Sequence, residues 1–224
     1  MRTYVFRPTP QGPWPGIVLY SEIFQLTGPI RRTAAWLAGH GFVVAVPEVH
    51  HEFEPAGTVL AYDQAGADRG NFCKYEKKLA SYDGDAQAVI TWLAEQTAHV
   101  GVMGICLGGH LAFRAALLPQ VKAAACFYAT DLHTASLSKA DDSLARAAEI
   151  QGELLMIFGR QDPHVPLEGR RKIQARLEEV GTKYSWVEVN AAHAFIRDEG
   201  PRYDPVAASH CLGMAVELFQ RKLR

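Results

Sequence analysis

The sequence predicts an α/β protein with a mostly parallel sheet and helices on both of its faces. Short apolar runs alternate with longer segments of helical periodicity along most of the chain, an order typical of strands joined by helices. A chain of 224 residues, 48% of them hydrophobic, can also bury a large core without disulfides or structural metals. Because we find no linker or internal repeat, we expect residues 1–224 to form one domain.

The first half of the chain predicts two strands and two helices. The apolar runs GIVLY at Gly16–Tyr20 and FVVAVP at Phe42–Pro47 are typical of buried strands. A helix is expected at Pro29–Ala38, since proline is favoured in the first helical turn. Apolar residues recur at helical spacing along Lys77–Glu95, which predicts a longer helix.

The second half continues the alternation, with Gly181 placed to end the helix before it. Its strands are expected at Val100–Gly104, Ala123–Tyr128, Leu154–Gly159 and Tyr184–Val189, and its helices at Gly108–Leu118, Leu167–Val180 and Pro205–Arg221.

Two segments depart from this alternation. Glu48–Tyr75 is polar, contains several glycines and is too long for an ordinary connection, so we expect it to be a functional loop or a lid. Asp131–Gln151 lacks a clear period, although Leu144–Ile150 could form a short helix. Segments of this kind often line ligand-binding sites.

Charge and composition exclude several classes of protein. The formal net charge is −1 and the sequence pI is about 6.8, so no basic surface for nucleic acid or anionic membrane is expected. No stretch reaches membrane-spanning length, and Met1–Gln11 lacks the apolar run of a signal peptide. The four cysteines include no CxxC pair. We therefore expect a cytoplasmic protein with reduced thiols.

One cysteine lies in a glycine-rich turn between a predicted strand and a predicted helix. Gly104–Gly109 (GICLGG) follows the pattern G-x-nucleophile-x-G of a nucleophile elbow, with Cys106 as the nucleophile. The glycines are needed because side chains would collide across so sharp a turn. N–H groups at a helix start, that of Leu107 first, favour a thiolate and can bind an oxyanion. The alternative is a structural cysteine in a glycine-rich turn.

Two further polar residues each follow a predicted strand. Asp162 lies in FGRQDPHVP, after the strand at 154–159, and His193 lies in AAHAF, after the strand at 184–189. The order nucleophile, acid, histidine is that of the α/β hydrolases. Taken singly, Asp162 could be a turn residue and His193 a loop histidine, but three such residues in this order favour a catalytic triad.

These motifs resemble those of the dienelactone hydrolase (carboxymethylenebutenolidase) family through nearly the whole chain. Ser21–Phe24 and the following Pro29–Arg31 resemble the family's E-I-F-G…R element, and Gly104–Gly109 resembles its G-x-C-x-G-G. Asp162 lies in a segment like its G-x-x-D-x-x-V-P, and 193–197 resembles its H-x-F-x-R. The resemblance implies an α/β-hydrolase fold.

The resemblance also implies roles for individual residues. Glu22 is implied to keep the resting thiol protonated until substrate binds, which is physically reasonable because a carboxylate beside a thiol raises the thiol pKa. On its own, Glu22 could equally be a solvated loop carboxylate or the partner of a helix cap. The implied triad is Cys106, His193 and Asp162, and the implied oxyanion donors are the N–H groups of Ile23 and Leu107.

Three residues are expected to contact the substrate. The resemblance implies that Arg197 binds the carboxylate of an acidic lactone, a task that suits the planar guanidinium. The alternative is a surface arginine paired with Asp198 or Glu199. Arg69 is the nearest candidate for the family's second substrate arginine, and Phe24 belongs to the E-I-F element.

The sequence thus predicts a hydrolase that cleaves a lactone or small carboxylic ester, either neutral or anionic. The alternatives are a broader carboxylesterase or thioesterase, and an inactive hydrolase-fold binding protein. No cofactor or metal is expected, since His50 and His51 are adjacent on an extended chain and point apart. A monomer or a homodimer is expected.

Overall fold

Seven strands form one sheet in the computed structural model, which describes residues 1–224. The strands are β1 (Thr3–Phe6), β2 (Gly16–Tyr20), β3 (Val43–Pro47), β4 (Val100–Ile105), β5 (Val121–Phe127), β6 (Glu153–Gly159) and β7 (Tyr184–Val189). Their spatial order is β1-β3-β2-β4-β5-β6-β7. Only β1 is antiparallel to its neighbour. The predicted fold class, an α/β protein with a mostly parallel sheet, is confirmed.

The chain has six helices: α1 (Gly28–Gly39), α2 (Gln64–Glu76), α3 (Leu79–Ala94), α4 (Leu107–Ala115), α5 (Leu167–Glu179) and α6 (Pro205–Leu223). Proline stands in the first turn of α1 and of α6. The side chain of Asp63 caps α2 by accepting the Gly66 N–H at 2.8 Å. None of the helices combines the length and apolar character needed to cross a membrane.

Two apolar clusters form the core, one on each face of the sheet. Strand β2 supplies both, since Val18 and Tyr20 belong to the cluster that includes α3, α4 and α5, whereas Ile17 and Leu19 pack with α1 and α6. This division follows from the alternation of side chains along a strand. Helices therefore cover both faces, as predicted.

The direction of the strand order reverses between β2 and β4. The chain runs from β2 outward to β3 and then returns to place β4 on the other side of β2. In open α/β sheets such a reversal leaves a crevice at the carboxyl ends of the two strands. Ser21 and Glu22 follow β2 there, and Cys106 follows β4.

The structure differs from the prediction mainly before residue 80. Strand β1 was not predicted, and α2 occupies part of the segment that we expected to be a loop. Helix α2 lacks a clear apolar stripe, but Gly70 lets it approach the loop after β2. A Cβ on residue 70 would lie 2.6 Å from the carbonyl oxygen of Ile23 in that loop. In Asp131–Gln151, only the short 3₁₀ turns Leu137–Lys139 and Ala147–Glu149 interrupt irregular chain.

Candidate active site

Cys106 occupies a strained turn between β4 and α4. Its φ and ψ angles are 62° and −118°, a conformation that side-chain-bearing residues rarely adopt. A Cβ on Gly104 would lie 1.7 Å from the carbonyl oxygen of Gly108, and one on Gly108 would lie 2.1 Å from that of Tyr20. The turn thus has the geometry that the glycine pattern predicts, with the sulfur at the carboxyl edge of the sheet.

The thiol of Cys106 differs in its surroundings from the other three cysteines. Cys73, Cys126 and Cys211 are buried, whereas Cys106 is partly exposed where it borders a cavity. Burial and the negative charge of Glu22 raise the pKa of Cys106 to about 12, against the opposing effect of the Leu107 N–H. The resting cysteine is therefore a protonated thiol at neutral pH.

His193 and Asp162 form a hydrogen-bonded pair beside this cavity. The distance from His193 Nδ1 to Asp162 Oδ2 is 2.7 Å, and both residues are buried. The other carboxylate oxygen of Asp162 accepts the backbone N–H of His164 at 2.8 Å. With its Nδ1 proton donated to Asp162, the imidazole presents Nε2 as an acceptor.

The pKa values of this pair are shifted in the direction that a general base requires. Burial lowers the pKa of His193, although its hydrogen bond with Asp162 acts in the opposite sense. Burial raises the pKa of Asp162, but the hydrogen bond and charge of His193 outweigh it, so the net pKa is lowered. At neutral pH the pair is a neutral imidazole with an aspartate carboxylate.

Glu22 is a buried carboxylate directly after β2, with 2% of its surface exposed. The hydroxyl of Tyr62 donates to its Oε2 at 2.8 Å, and Arg197 Nη1 lies 3.9 Å from its Oε1. Burial raises the pKa of Glu22, while Arg197 and the Tyr62 hydrogen bond oppose that shift. Glu22 is therefore neither a solvated loop carboxylate nor a helix cap.

Arg197 and the aromatic residues around Glu22 form one wall of the cavity. The guanidinium of Arg197 lies 4.2 Å from the centre of the Tyr62 ring, and Phe24 packs edge-on against the same ring at 4.8 Å. Asp198 and Glu199 do not pair with Arg197, because both form ion pairs with Arg32 instead.

The loop that carries Ile23 is held by a buried histidine. His50 Nε2 lies 2.9 Å from the carbonyl oxygen of Ile23, and the backbone N–H of His50 donates to Gln25 Oε1 at 3.2 Å. Burial lowers the pKa of His50 to about 4, so its imidazole is neutral and donates to that carbonyl. His50 thus supports the backbone from which the Ile23 N–H is presented.

His51 belongs to a separate polar cluster. Its Nε2 lies 2.9 Å from Asp85 Oδ2, near Glu52. The fully buried ammonium of Lys77 contacts Asp85, lies 3.5 Å from Glu52 and donates to the carbonyl oxygen of Val49 at 2.8 Å. Lys77 forms ion pairs with both acidic groups, and this network holds residues 49–52 against α3.

The side chains of Cys106, His193, Glu22 and Arg197 line a cavity of about 540 Å³, which is large enough for a small organic molecule. The sequence predicted Glu22, Ile23, Phe24, Cys106, His193 and Arg197 among its lining residues. It missed Tyr62, Asp63, Ala67, Asn71, Lys74, Tyr75, Thr130, Asp131, His164 and Arg202. The segment 48–75 was flagged as functional, and α2 within it supplies part of the lining. No sequence signal marked Thr130 or Arg202.

The prediction for Arg69 is wrong. Its side chain points away from the cavity, forming an ion pair with Glu54 and lying 5.0 Å from the ring centre of Phe72. On α2 it is Ala67, Asn71, Lys74 and Tyr75 that line the cavity, since one face of a helix presents residues three to four positions apart.

A parallel sheet with a nucleophile-type turn after β4, an aspartate after β6 and a histidine after β7 defines the α/β-hydrolase class. The crystal structure named "Putative Dienelactone Hydrolase" from Klebsiella pneumoniae superposes with a TM-score of 0.86 at 23% identity, covering 98% of this chain and 92% of that one. An esterase structure from Thermogutta terrifontis gives a TM-score of 0.70 at 20% identity, covering 98% and 88%. Both likenesses show the fold.

Sequence comparisons identify the family. The sequence profile of the dienelactone hydrolase family matches residues 1–223. A Saccharomyces cerevisiae protein named "Putative carboxymethylenebutenolidase" is 42% identical over 100% of this chain and 88% of its own length. A carboxymethylenebutenolidase of Pseudomonas putida is 27% identical over 89% and 82%, respectively. The chain belongs to the dienelactone hydrolase family, and it is a hydrolase.

Proposed function

We propose that this protein hydrolyses lactones or small carboxylic esters with Cys106 as nucleophile, His193 as general base and acid, and Asp162 as the residue that orients the imidazole. The observation that carries the proposal is the 2.7 Å hydrogen bond between His193 and Asp162, beside the cavity onto which the strained Cys106 opens. This arrangement supplies a nucleophile, a proton acceptor and its orienting group in one site.

The reaction proceeds in two stages. His193 Nε2 takes the thiol proton as the sulfur attacks the carbonyl carbon, and the N–H groups of Leu107 and Ile23 stabilise the oxyanion that forms. The C–O bond then breaks, and the imidazolium protonates the departing oxygen, leaving a thioester on Cys106. Water, deprotonated by His193, attacks the thioester and releases the acid and the free thiol. For a lactone, the departing oxygen stays attached to the acyl group.

Glu22 supplies control of the resting thiol in this proposal. Its charge and the burial of the site both raise the pKa of Cys106, so stray electrophiles meet a protonated, poorly nucleophilic sulfur. The thiolate forms only when a substrate carbonyl lies against the oxyanion donors, since negative charge then moves from sulfur onto a stabilised oxygen.

The cavity supports an acidic substrate. Three basic side chains, Lys74, Arg197 and Arg202, and three acidic ones, Glu22, Asp63 and Asp131, line a volume that also contains the rings of Phe24 and Tyr62. Asp131 pairs with Lys74 and Asp63 caps α2, so the two arginines outnumber the one remaining carboxylate, that of Glu22. Relatives at 42% and 27% identity carry the name of an enzyme that acts on a carboxylated lactone, carboxymethylenebutenolidase. A small unsaturated lactone with a carboxylate fits both the aromatic wall and the basic groups.

Intact-protein mass spectrometry tests this proposal. The protein is mixed rapidly with a carboxylated dienelactone or with a short-chain aryl ester, quenched in acid, and searched for an acyl adduct. We expect an adduct on Cys106 with the dienelactone, and neither adduct nor turnover in Cys106→Ala. Cys211→Ala, at a buried cysteine outside the cavity, serves as the matched control and should retain both.

The other outcomes separate the alternatives. An adduct with the aryl ester alone would indicate a broader carboxylesterase. Absence of adduct and turnover with both compounds, together with reversible binding of the lactone, would indicate an inactive binding protein. Wild-type turnover in Cys106→Ala would show that another residue is the nucleophile.

A further inference from the structure

We infer that Gln25 is a positioning residue for the oxyanion hole, holding the turn after β2 so that the N–H of Ile23 stays free for the substrate. The inference deepens the proposed function and rests on it, since Ile23 is one of the two oxyanion donors there. It gives a role to a buried side chain that does not itself line the cavity.

The N–H of Ile23 is available to a ligand. Ile23 lines the cavity with 9% of its surface exposed, yet its N–H donates to no group of the protein. Folded proteins usually pair the N–H groups of buried residues, because an unpaired one costs free energy. A free N–H in the cavity onto which Cys106 opens is the donor that a developing oxyanion requires.

Gln25 closes the turn in a backbone conformation that favours glycine. Its φ angle is 66°, in the left-handed region. Its N–H donates to the carbonyl oxygen of Glu22 at 3.2 Å, and its own carbonyl oxygen accepts the N–H of Thr27 at 2.9 Å. Glycine would adopt this φ angle without steric cost. A glutamine at such a position therefore points to a function for the side chain.

Both ends of the Gln25 amide are bonded to the segment that follows β3. The Oε1 atom accepts the backbone N–H of His50 at 3.2 Å, and Nε2 donates to the carbonyl oxygen of Thr58 at 2.9 Å. One partner is a donor and the other an acceptor, so the side chain must supply one group of each kind. An amide does so, whereas a carboxylate or an apolar side chain of the same shape does not.

His50 connects the Gln25 amide to Ile23. The backbone N–H of His50 is bound to Gln25, while its imidazole Nε2 lies 2.9 Å from the carbonyl oxygen of Ile23. The neighbouring carbonyl oxygen, that of Phe24, accepts the N–H of Leu60 at 3.1 Å. Residues 23, 24 and 25 are therefore all tied to residues 50–60, and Gln25 is bonded there at both ends of its side chain.

An oxyanion donor contributes fully only when it is held in place before the reaction. Removal of a whole donor lowers kcat by about 10²- to 10³-fold. Without the Gln25 amide, the Ile23 N–H remains but is held less firmly, so we expect a smaller loss of about tenfold. Only reactions that form an oxyanion should be slowed. Alkylation of the Cys106 sulfur by iodoacetamide displaces iodide from a saturated carbon and forms none.

Two kinds of reaction at Cys106 test the inference. First-turnover acylation by the dienelactone or the aryl ester forms an oxyanion, as does reversible addition to an aryl trifluoromethyl ketone, in which sulfur bonds the carbonyl carbon and His193 takes the thiol proton. Gln25→Gly relieves the backbone strain, and Gln25→Met keeps the side-chain shape. Each variant should slow acylation about tenfold and raise the Kd of the ketone about tenfold. Labelling by iodoacetamide should stay within about twofold of the wild-type rate.

Ala135→Gly is the matched control, because it also replaces a residue of positive φ, 55°, but one outside the cavity. It should match wild type in all three measurements. If Gln25→Met does not fold, Gln25→Gly alone decides. Unchanged acylation, or acylation and iodoacetamide labelling slowed alike, would overturn the inference while leaving the proposed hydrolysis intact. Absence of acylation in the wild-type protein would instead overturn the proposed function, and the Kd of the ketone would then decide the role of Gln25.

Discussion

Replacement of Glu22 by glutamine should make the resting thiol of Cys106 more reactive. Glu22 is buried, and its negative charge raises the pKa of that thiol. Glutamine keeps the shape and can still accept the hydrogen bond from Tyr62, but it carries no charge. The thiol pKa should therefore fall in Glu22→Gln.

The size of the effect follows from electrostatics. Two unit charges about 6 to 8 Å apart, at an effective dielectric constant of about 20, repel by about 2 to 3 kcal/mol, equivalent to about 1.5 to 2 pKa units. Arg197 lies 3.9 Å from Glu22 and offsets part of that repulsion, so we expect a net decrease of about one unit. Far below the pKa, one unit corresponds to about tenfold more thiolate.

Alkylation by iodoacetamide measures this directly. At pH 8 without substrate, the rate of labelling at Cys106, followed by peptide mass spectrometry, should rise about tenfold in Glu22→Gln. The ratio of mutant to wild-type rates should shrink as pH falls through the raised pKa of Glu22, since the wild-type carboxyl then loses its charge. Turnover should not rise in proportion, because the neutral glutamine no longer attracts the guanidinium of Arg197 in the cavity wall.

Glu48→Gln is the matched control, since Glu48 is also buried and also accepts a tyrosine hydroxyl, from Tyr4 at 3.0 Å, but does not line the cavity. Its labelling rate should equal that of wild type. An unchanged rate and pH profile in Glu22→Gln would refute the electrostatic coupling between the carboxylate and the sulfur.

Three further results are expected. Asp162→Asn should lower kcat by about 10³- to 10⁴-fold with little change in folding, as loss of the orienting carboxylate does in other triads, measured by steady-state kinetics and circular dichroism. The pH profile of kcat/KM for a neutral ester should have its acid limb below 6.5, because burial lowers the pKa of His193 from that value and the imidazole must be neutral to act as base; a limb above 6.5 would contradict this. Gly104→Ala should yield little folded protein, since its Cβ would lie 1.7 Å from the carbonyl oxygen of Gly108. Gly84→Ala, with open space around it in α3, should instead increase the free energy of unfolding, measured by urea denaturation, by about 1 kcal/mol.

Sequence patterns located the central strands and most helices closely. Strand β2 was placed at its observed bounds, because an unbroken apolar run between Pro15 and Ser21 is stable only when both of its faces are buried. Helix α2 was missed for the converse reason. Its glycines and polar residues give no apolar stripe, and it is held by a capping aspartate and by close packing on the Ile23 loop.

The sequence by itself determined the elements that chemistry fixes locally. Glycines at 104 and 108 are required wherever a nucleophile is held at such a turn, and Cys106, Asp162 and His193 follow β4, β6 and β7 in chain order. These signals need no knowledge of which distant segments meet, so a single chain displays them.

The composition of the cavity was decided only by the tertiary structure. Tyr62, Lys74 and Arg202 come from segments far apart in sequence, and nothing local marks them as neighbours of Cys106. Arg69 was the sequence's candidate for a second substrate arginine, but the helical turn that directs Lys74 inward directs Arg69 toward Glu54. Which charges remain unpaired depends on long-range contacts such as those of Arg32, and the orientation of each side chain depends on the packing of whole elements.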